Sequence, residues 1–277
     1  MRLPTRFLSV TDNLAVTPAD YDPFCIAAPV NTRLRGGGGN QICGLYDLNP
    51  SKLGLQNNLR TDAANYGKQT ETFDGIDVSL NLRLPRRVVL SGGLSTGTSA
   101  TTGATTTNST NECFVVDAPG LYIPQTTPVF AANVLRFCDV NVKWQTAVRF
   151  LGTVGLPWGI ETGATFQANP GPEILANYTV TSAQVQGLGR PLTLGTMTVP
   201  LVRPGTMFGD RIYQLDLRMS KVVQLQRGVR LRANLDLANA LNSAAVLLQN
   251  NAYGTNWLRP SYILPGRLIR PSVQIDF

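Results

Sequence analysis

The sequence predicts an all-β protein: an antiparallel transmembrane β-barrel segment of about eight strands, with residues 1–277 as a single unit. Three observations predict it. Several segments alternate apolar and polar residues with period two, the spacing of a strand whose successive side chains face opposite sides. Tight connections alternate with long ones rich in Gly, Pro, Asn and Thr. No apolar run approaches the roughly 20 residues of a membrane helix, so any crossing of a membrane must use strands.

The first strand is expected at 3–11. In DGIDVSLNLRLP, Ile76, Val78, Leu80, Leu82 and Leu84 take one face and Asp77, Ser79, Asn81 and Arg83 the other, which gives a strand over 70–84. A PRR turn at 85–87 leads to a partner at 88–98. In KWQTAVRFLGTVGL, Trp144, Thr146, Val148, Phe150 and Val154 oppose Lys143, Gln145 and Arg149, giving 142–155. PWG at 157–159 turns the chain into 158–168. RIYQLDLRMSK sets Tyr213, Leu215, Leu217 and Met219 against Gln214, Asp216, Arg218 and Ser220, giving 208–222. QRG at 226–228 turns into 229–241, where Val229, Leu231, Ala233, Leu235 and Leu237 oppose Arg230, Arg232, Asn234 and Asp236. The last strand, 264–277, ends in PSVQIDF, with Val273, Ile275 and Phe277 on one face and Ser272, Gln274 and Asp276 on the other.

If each tight turn lies at one end of the sheet, the long connections 12–69, 100–141, 169–207 and 242–263 all lie at the other. Long structureless loops are rare in compact soluble domains. They are normal on the outer side of transmembrane barrels, whose periplasmic turns are short. Each strand has about the nine residues needed to cross a bilayer at a tilt.

The polar strand faces are charged. A barrel would put Arg149, Glu161, Asp216, Arg218, Arg230, Arg232 and Asp236 in its lumen, with the apolar face on lipid. A soluble sandwich would turn the same charges into bulk water, so the pattern alone does not decide between them. The loop asymmetry and the aromatic end favour the barrel, and Trp144, Trp158 and Phe277 fall near strand ends as an interfacial girdle requires.

Composition narrows the chemistry. Charged residues are 15% of the chain and the net charge is +7. The Lys and Arg residues are scattered, not clustered as a nucleic-acid footprint requires, so anionic lipid headgroups are the better partner and nucleic acid is not expected. There is no His, which excludes Ser-His-Asp and Cys-His catalysis. GGGG at 36–39 lacks the Lys and the strand–helix setting of a phosphate loop. Glu161 and Asp236 could be imagined as paired carboxylates, but each is simply one charge among many on a strand face. Asp20, Asp22, Asp47 and Asn49 could offer oxygens to calcium, although turn formation explains such residues more commonly. No catalytic residue, metal ligand or cofactor is expected. The four cysteines, Cys25, Cys43, Cys113 and Cys138, form no CxxC pair. Their even number in polar loops suggests two disulfides and an oxidising compartment, with four buried thiols as the alternative. MRLPTRFLSVTDN has no continuous apolar core and does not read as a signal peptide.

The stretches VTPADYDPFC, RLRGGGGNQICGLYDLNP, NYGKQTETFDGIDVSLNLRLP, TFQANPGPEILANYTVT, RPGTMFGDRIYQLDLRMSK, DLANALN, YGTNWLRPSYIL and the terminal VQIDF follow in order along nearly the whole chain. Together they resemble the C-terminal part of a bacterial TonB-dependent receptor, of the type with an N-terminal carboxypeptidase-regulatory-like domain. The resemblance implies an outer-membrane barrel of about 22 strands, plugged by an N-terminal domain, that takes up a ligand using energy from the TonB complex. Val273, Ile275 and Phe277 would then be the signal read by the barrel-assembly machinery. Disulfides Cys25–Cys43 and Cys113–Cys138 would stiffen the outer loops. The partners implied are outer-membrane lipid and lipopolysaccharide, the upstream strands and plug, and a transported ligand that the sequence does not name. The chain departs from that plan in carrying no plug and no box for the energising protein, and only about eight strands. Two rival expectations are a self-sufficient eight-stranded barrel with an adhesin or structural role, and a secreted β-sandwich that binds sugars. An enzyme ranks last.

Overall fold

The computed structural model describes residues 2–6, 9–62, 69–85, 87–103, 137, 140–225 and 229–276. It is all-β and antiparallel. Its main body is one eight-stranded sheet built from β1 (Arg2–Arg6), β2 (Gln69–Leu84), β3 (Val88–Gly103), β4 (Val140–Leu156), β5 (Ile160–Asn169), β6 (Ile212–Gln224), β7 (Arg230–Ala238) and β8 (Leu268–Asp276). Neighbours in the sheet are neighbours in the chain. The tight connections β2–β3, β4–β5 and β6–β7 therefore share one end of the sheet, and the long ones share the other.

Among the described residues β1 pairs only with β2 and β8 only with β7, so the sheet is open and does not close on itself. Among the described residues nothing covers the apolar side of the sheet. Ile76, Val78 and Leu84 on β2, Trp144 on β4, Met219 on β6, and Ile269, Val273 and Ile275 on β8 all stay exposed.

The β4–β5 turn shows why these residues turn there. Trp158 and Gly159 both take positive φ, 61° and 71°. A Cβ on Gly159 would stand 2.7 Å from the Val222 carbonyl oxygen, so only glycine fits beside β6. Trp158 lies in this turn instead of starting the strand, and its side chain is 82% exposed.

The expected first strand, 3–11, is divided. Arg2–Arg6 joins the sheet, whereas Ser9–Asn13 leaves it to pair with Asn58–Asp62. The long connections, expected to be structureless, are also corrected. Tyr21–Ala27 pairs with Gln41–Leu48, Asn177–Thr181 with Thr196–Pro200, and Val246–Gln249 with Pro260–Ile263. These segments carry the packed core that the sheet lacks. Tyr21, Phe24, Ile26, Ile42, Leu45 and Leu48 pack against Val180, Leu192, Met197 and Val199. A second cluster joins Leu34, Ala176, Val202 and Trp257, with the Trp257 indole donating to the Leu175 carbonyl at 2.8 Å. Loops that bury apolar side chains and satisfy their backbone in short ladders form a folded cap at the long-loop end.

Candidate functional site

The polar face of the sheet gathers the charges singled out in the sequence. Directly opposed residues of an antiparallel ladder project to the same side. The registers Arg149↔Gln167, Gln167↔Gln214, Asp216↔Thr165, Ser220↔Glu161, Arg218↔Asp236, Val222↔Arg232 and Gln224↔Arg230 therefore set Arg149, Glu161, Asp216, Arg218, Arg230, Arg232 and Asp236 on one face. Alternation dictates this arrangement, because a slip of one residue would move every side chain to the other face.

On β6, β7 and β8 these residues form cross-strand rows. Asp236 stands between Arg218 and Arg270, both directly opposite it. Arg218 Nη2 donates to Asp236 Oδ2 at 3.0 Å, and Arg270 Nη2 to the same oxygen at 3.1 Å. One row nearer the tight turns, the hydroxyl of the buried Ser220 donates to Asn234 Oδ1 at 2.7 Å, and Asn234 donates to Ser272 Oγ at 3.3 Å. Arg232 spans the Ser220 strand and donates to Glu161 Oε2 at 2.9 Å. Towards the cap, Asp216 accepts from Gln214 Nε2 at 2.8 Å and from the Asn239 backbone N–H at 2.8 Å. Asn239, at φ 49°, donates to the Ser243 and Pro265 carbonyls and so fixes the exit of β7. A hollow of about 450 Å³ opens over Glu161, Arg218, Ser220, Arg232, Asn234 and Gln274.

On β2–β4 the same face is built from small residues. Ser79, Ser91, Gly93, Ser95 and Ala147 line it between Asp77, Asn81, Arg83 and Arg149, and Arg149 makes no ion pair among the described residues. The Phe73 ring covers Gly75 and Gly97, where a Cβ would lie 2.6 Å and 2.5 Å from it. An aromatic ring over paired glycines supplies the packing that they lack. The face thus has a half whose charges interlock in ion pairs across the strands and a half whose charges are spaced by small residues.

Glu161 is held by Arg232, and Asp236 by Arg218 and Arg270. The arrangement can present alternating donors and acceptors to a polar surface.

The cap places the other sequence candidates. Cys25 and Cys43 lie at disulfide distance, 2.08 Å between sulfurs. Cys113, Cys138 and Phe277 lie outside the described residues. Most of the oxygens considered for calcium are engaged elsewhere, whereas Asp47 Oδ1 is buried without a hydrogen-bond partner among the described residues. Asp22 and Asp47 both bind Arg190, which donates to Asp22 Oδ2 at 2.7 Å through Nη2 and to Asp47 through Nη1. Asn49 accepts from Ser51, and Asp20 accepts from the Thr17 backbone at 2.7 Å and pairs with Lys52 at 3.2 Å. Among the described residues no cluster of three potential metal ligands occurs. Burial opposes the Arg190 charge, but its hydrogen bonds to Asp47 and Asp22 outweigh that and raise its pKa. No sequence signal marked Arg190, because its acidic partners Asp22 and Asp47 lie more than 140 residues away in the chain.

No protein-family model matches the chain, and no curated protein matches it significantly.

Proposed function

We propose that the sheet is part of the wall of an outer-membrane receptor barrel, with its charged face towards the lumen and its cap outside the cell. The observation that carries this reading is the division of burial. The cap buries an apolar core, while the apolar face of the sheet keeps Ile76, Val78, Trp144, Met219, Val273 and Ile275 exposed. Hydrocarbon is the solvent in which such a face is stable, and unpaired polar groups are then confined to the other side. A soluble sandwich would need a second layer over those residues. The ordered resemblance to TonB-dependent receptors supports the finer reading: this is the C-terminal part of such a barrel, contributing wall, lumen and ligand-facing loops to uptake. Upstream strands and a plug would complete it, and the plug would connect it to the TonB complex. The polar hollow over Glu161, Arg218 and Arg232 is where a plug or a ligand in passage would be met.

Tryptophan fluorescence in lipid vesicles tests this. With Trp158 and Trp257 replaced by Phe, Trp144 should be quenched by brominated acyl chains. With Trp144 and Trp158 replaced instead, Trp257 in the cap should not. Equal behaviour of the two tryptophans, or a chain that stays monomeric in buffer without detergent, would sink the membrane reading.

A further inference from the structure

Arg87 ends the β2–β3 turn at φ 59° and is exposed. Its side chain lies back across the polar face of β4. A Cβ on Gly155 would stand 3.2 Å from both Cβ and Cδ of Arg87, so the missing side chain there is what lets Arg87 lie down. Gly155 is directly opposite Glu161, Glu161 opposite Ser220, and Ser220 opposite Asn234. Arg87 and Glu161 line the same hollow of about 450 Å³, yet they form no ion pair with each other. The Arg87 guanidinium has no partner among the described residues, whereas Arg218, which also lines the hollow, is answered by Asp236. Arg232 donates to Glu161 Oε2, and Glu161 Oε1 has no partner among the described residues. The tight connections at this end of the sheet, 85–87, 157–159 and 226–228, contain no Asp or Glu. One unanswered guanidinium and one unused carboxylate oxygen therefore face a common space from neighbouring parts of the sheet, where adjacent strands stand about 5 Å apart.

We propose that this hollow binds a zwitterion of the α-amino acid class, with its carboxylate on Arg87 and its ammonium on Glu161. A guanidinium fork takes a carboxylate through two parallel hydrogen bonds, and an ammonium donating to a carboxylate oxygen is likewise charge-assisted. An α-amino acid carries both groups on one carbon, a separation suited to a cation and a carboxylate that share a hollow without touching. A neutral solute would leave both charges unanswered. A phosphate dianion would answer Arg87 but bring its second charge against Glu161. Asn234 and Gln274 line the same hollow and offer amide groups to a polar, uncharged side chain. The inference rests on the reading that this face borders a lumen open to solutes, and it names the class of solute.

The test uses the full chain in non-ionic detergent, as wild type and as the variants Arg87→Gln and Glu161→Gln. L-glutamine is titrated by saturation-transfer NMR beside N-acetyl-L-glutamine, which lacks the ammonium, and L-glutamine amide, which lacks the carboxylate. Glutamine should bind wild type in the millimolar range, more weakly as salt is raised. Each blocked analogue should bind roughly tenfold more weakly or worse, the equivalent of losing one charge-assisted hydrogen bond. Arg87→Gln should erase the preference for glutamine over its amide, and Glu161→Gln the preference over the N-acetyl form. A general loss of structure would not produce these separate effects, and the analogue series in wild type stands without the variants. No binding of glutamine, equal binding of the N-acetyl form, or unchanged preferences in both variants overturns the proposal. The binding assay reads the hollow and the quenching of Trp144 reads the lipid, so either reading can fail while the other holds.

Discussion

Arg190 reaches from its loop to the buried carboxylate of Asp47, and the same guanidinium holds Asp22 with 2.7 Å between Nη2 and Oδ2. Thr193 adds its backbone N–H to Asp47 Oδ2 at 3.0 Å. One cation thus joins both strands of the Tyr21–Leu48 hairpin to the 182–195 segment. Replacing Arg190 with Met leaves the buried Asp47 with only its Thr193 hydrogen bonds and no cation, an expected loss of about 3–5 kcal/mol. Limited proteolysis of the cap in rising urea would show it as a lower midpoint. An unchanged midpoint would mean that the cap is held by its apolar core alone.

The Tyr21 hydroxyl is buried without a hydrogen-bond partner among the described residues. An unsatisfied buried hydroxyl costs free energy, so Tyr21→Phe should be neutral or stabilise the cap by up to about 1 kcal/mol. Destabilisation in the same urea series would show that the hydroxyl has a partner in solution.

Stability of the cap should fall at both ends of the pH scale. A hydrogen bond from the Thr17 backbone and the nearby Lys52 hold the Asp20 carboxyl below its ordinary 3.8. Its folded pKa is depressed, so its contribution is complete above 3.8 and is lost as pH falls below that value. Burial, and then the charges of Asp20 and Asp47, push the Tyr21 phenol above its ordinary 10.0. Its contribution is therefore present below 10.0 and is lost as pH rises beyond it. The alkaline limb should disappear in Tyr21→Phe, as followed by Trp257 fluorescence against pH.

On the sheet, Val78→Arg and Ser79→Arg make a contrasting pair, since these neighbours in the chain point to opposite faces. In a bilayer the first places a charge in hydrocarbon at a cost of about 2–4 kcal/mol near the midplane, and the second places it in water. Refolding yield into vesicles should fall for Val78→Arg alone. Equal yields would remove the lipid from that face.

The Glu161–Arg232 pair is half exposed on both sides, 45% and 38%. A double-mutant cycle with Gln at both positions should give a coupling of only about 0.2–1 kcal/mol. A much larger value would indicate that the hollow excludes water.

The sheet was legible because most of its strands, β2 and β4–β8, largely keep a period of two, so the face assignments of Glu161, Asp216, Arg218 and Arg232 follow from counting. The cap was not legible, for a physical reason. In Tyr21–Ala27 the buried residues are Tyr21, Phe24 and Ile26, and a register shift between Phe24 and Ile26 breaks the alternation. Pairings such as Arg190 with Asp47 join loops that no local pattern connects. The division of the first strand was not legible, because Arg2–Arg6 and Ser9–Asn13 lie close in the chain but pair with different partners, Thr70–Asp74 and Asn58–Asp62.

The cap core takes Leu34 from the first long connection, Ala176 and Val202 from the third, and Trp257 from the fourth. In this cluster each connection buries its apolar residues against those of the others. Exchange of a single loop between related proteins would therefore strip the others of their packing. Changes to the cap that keep it folded must come either as point changes among its exposed residues, or as joint inheritance of all three connections.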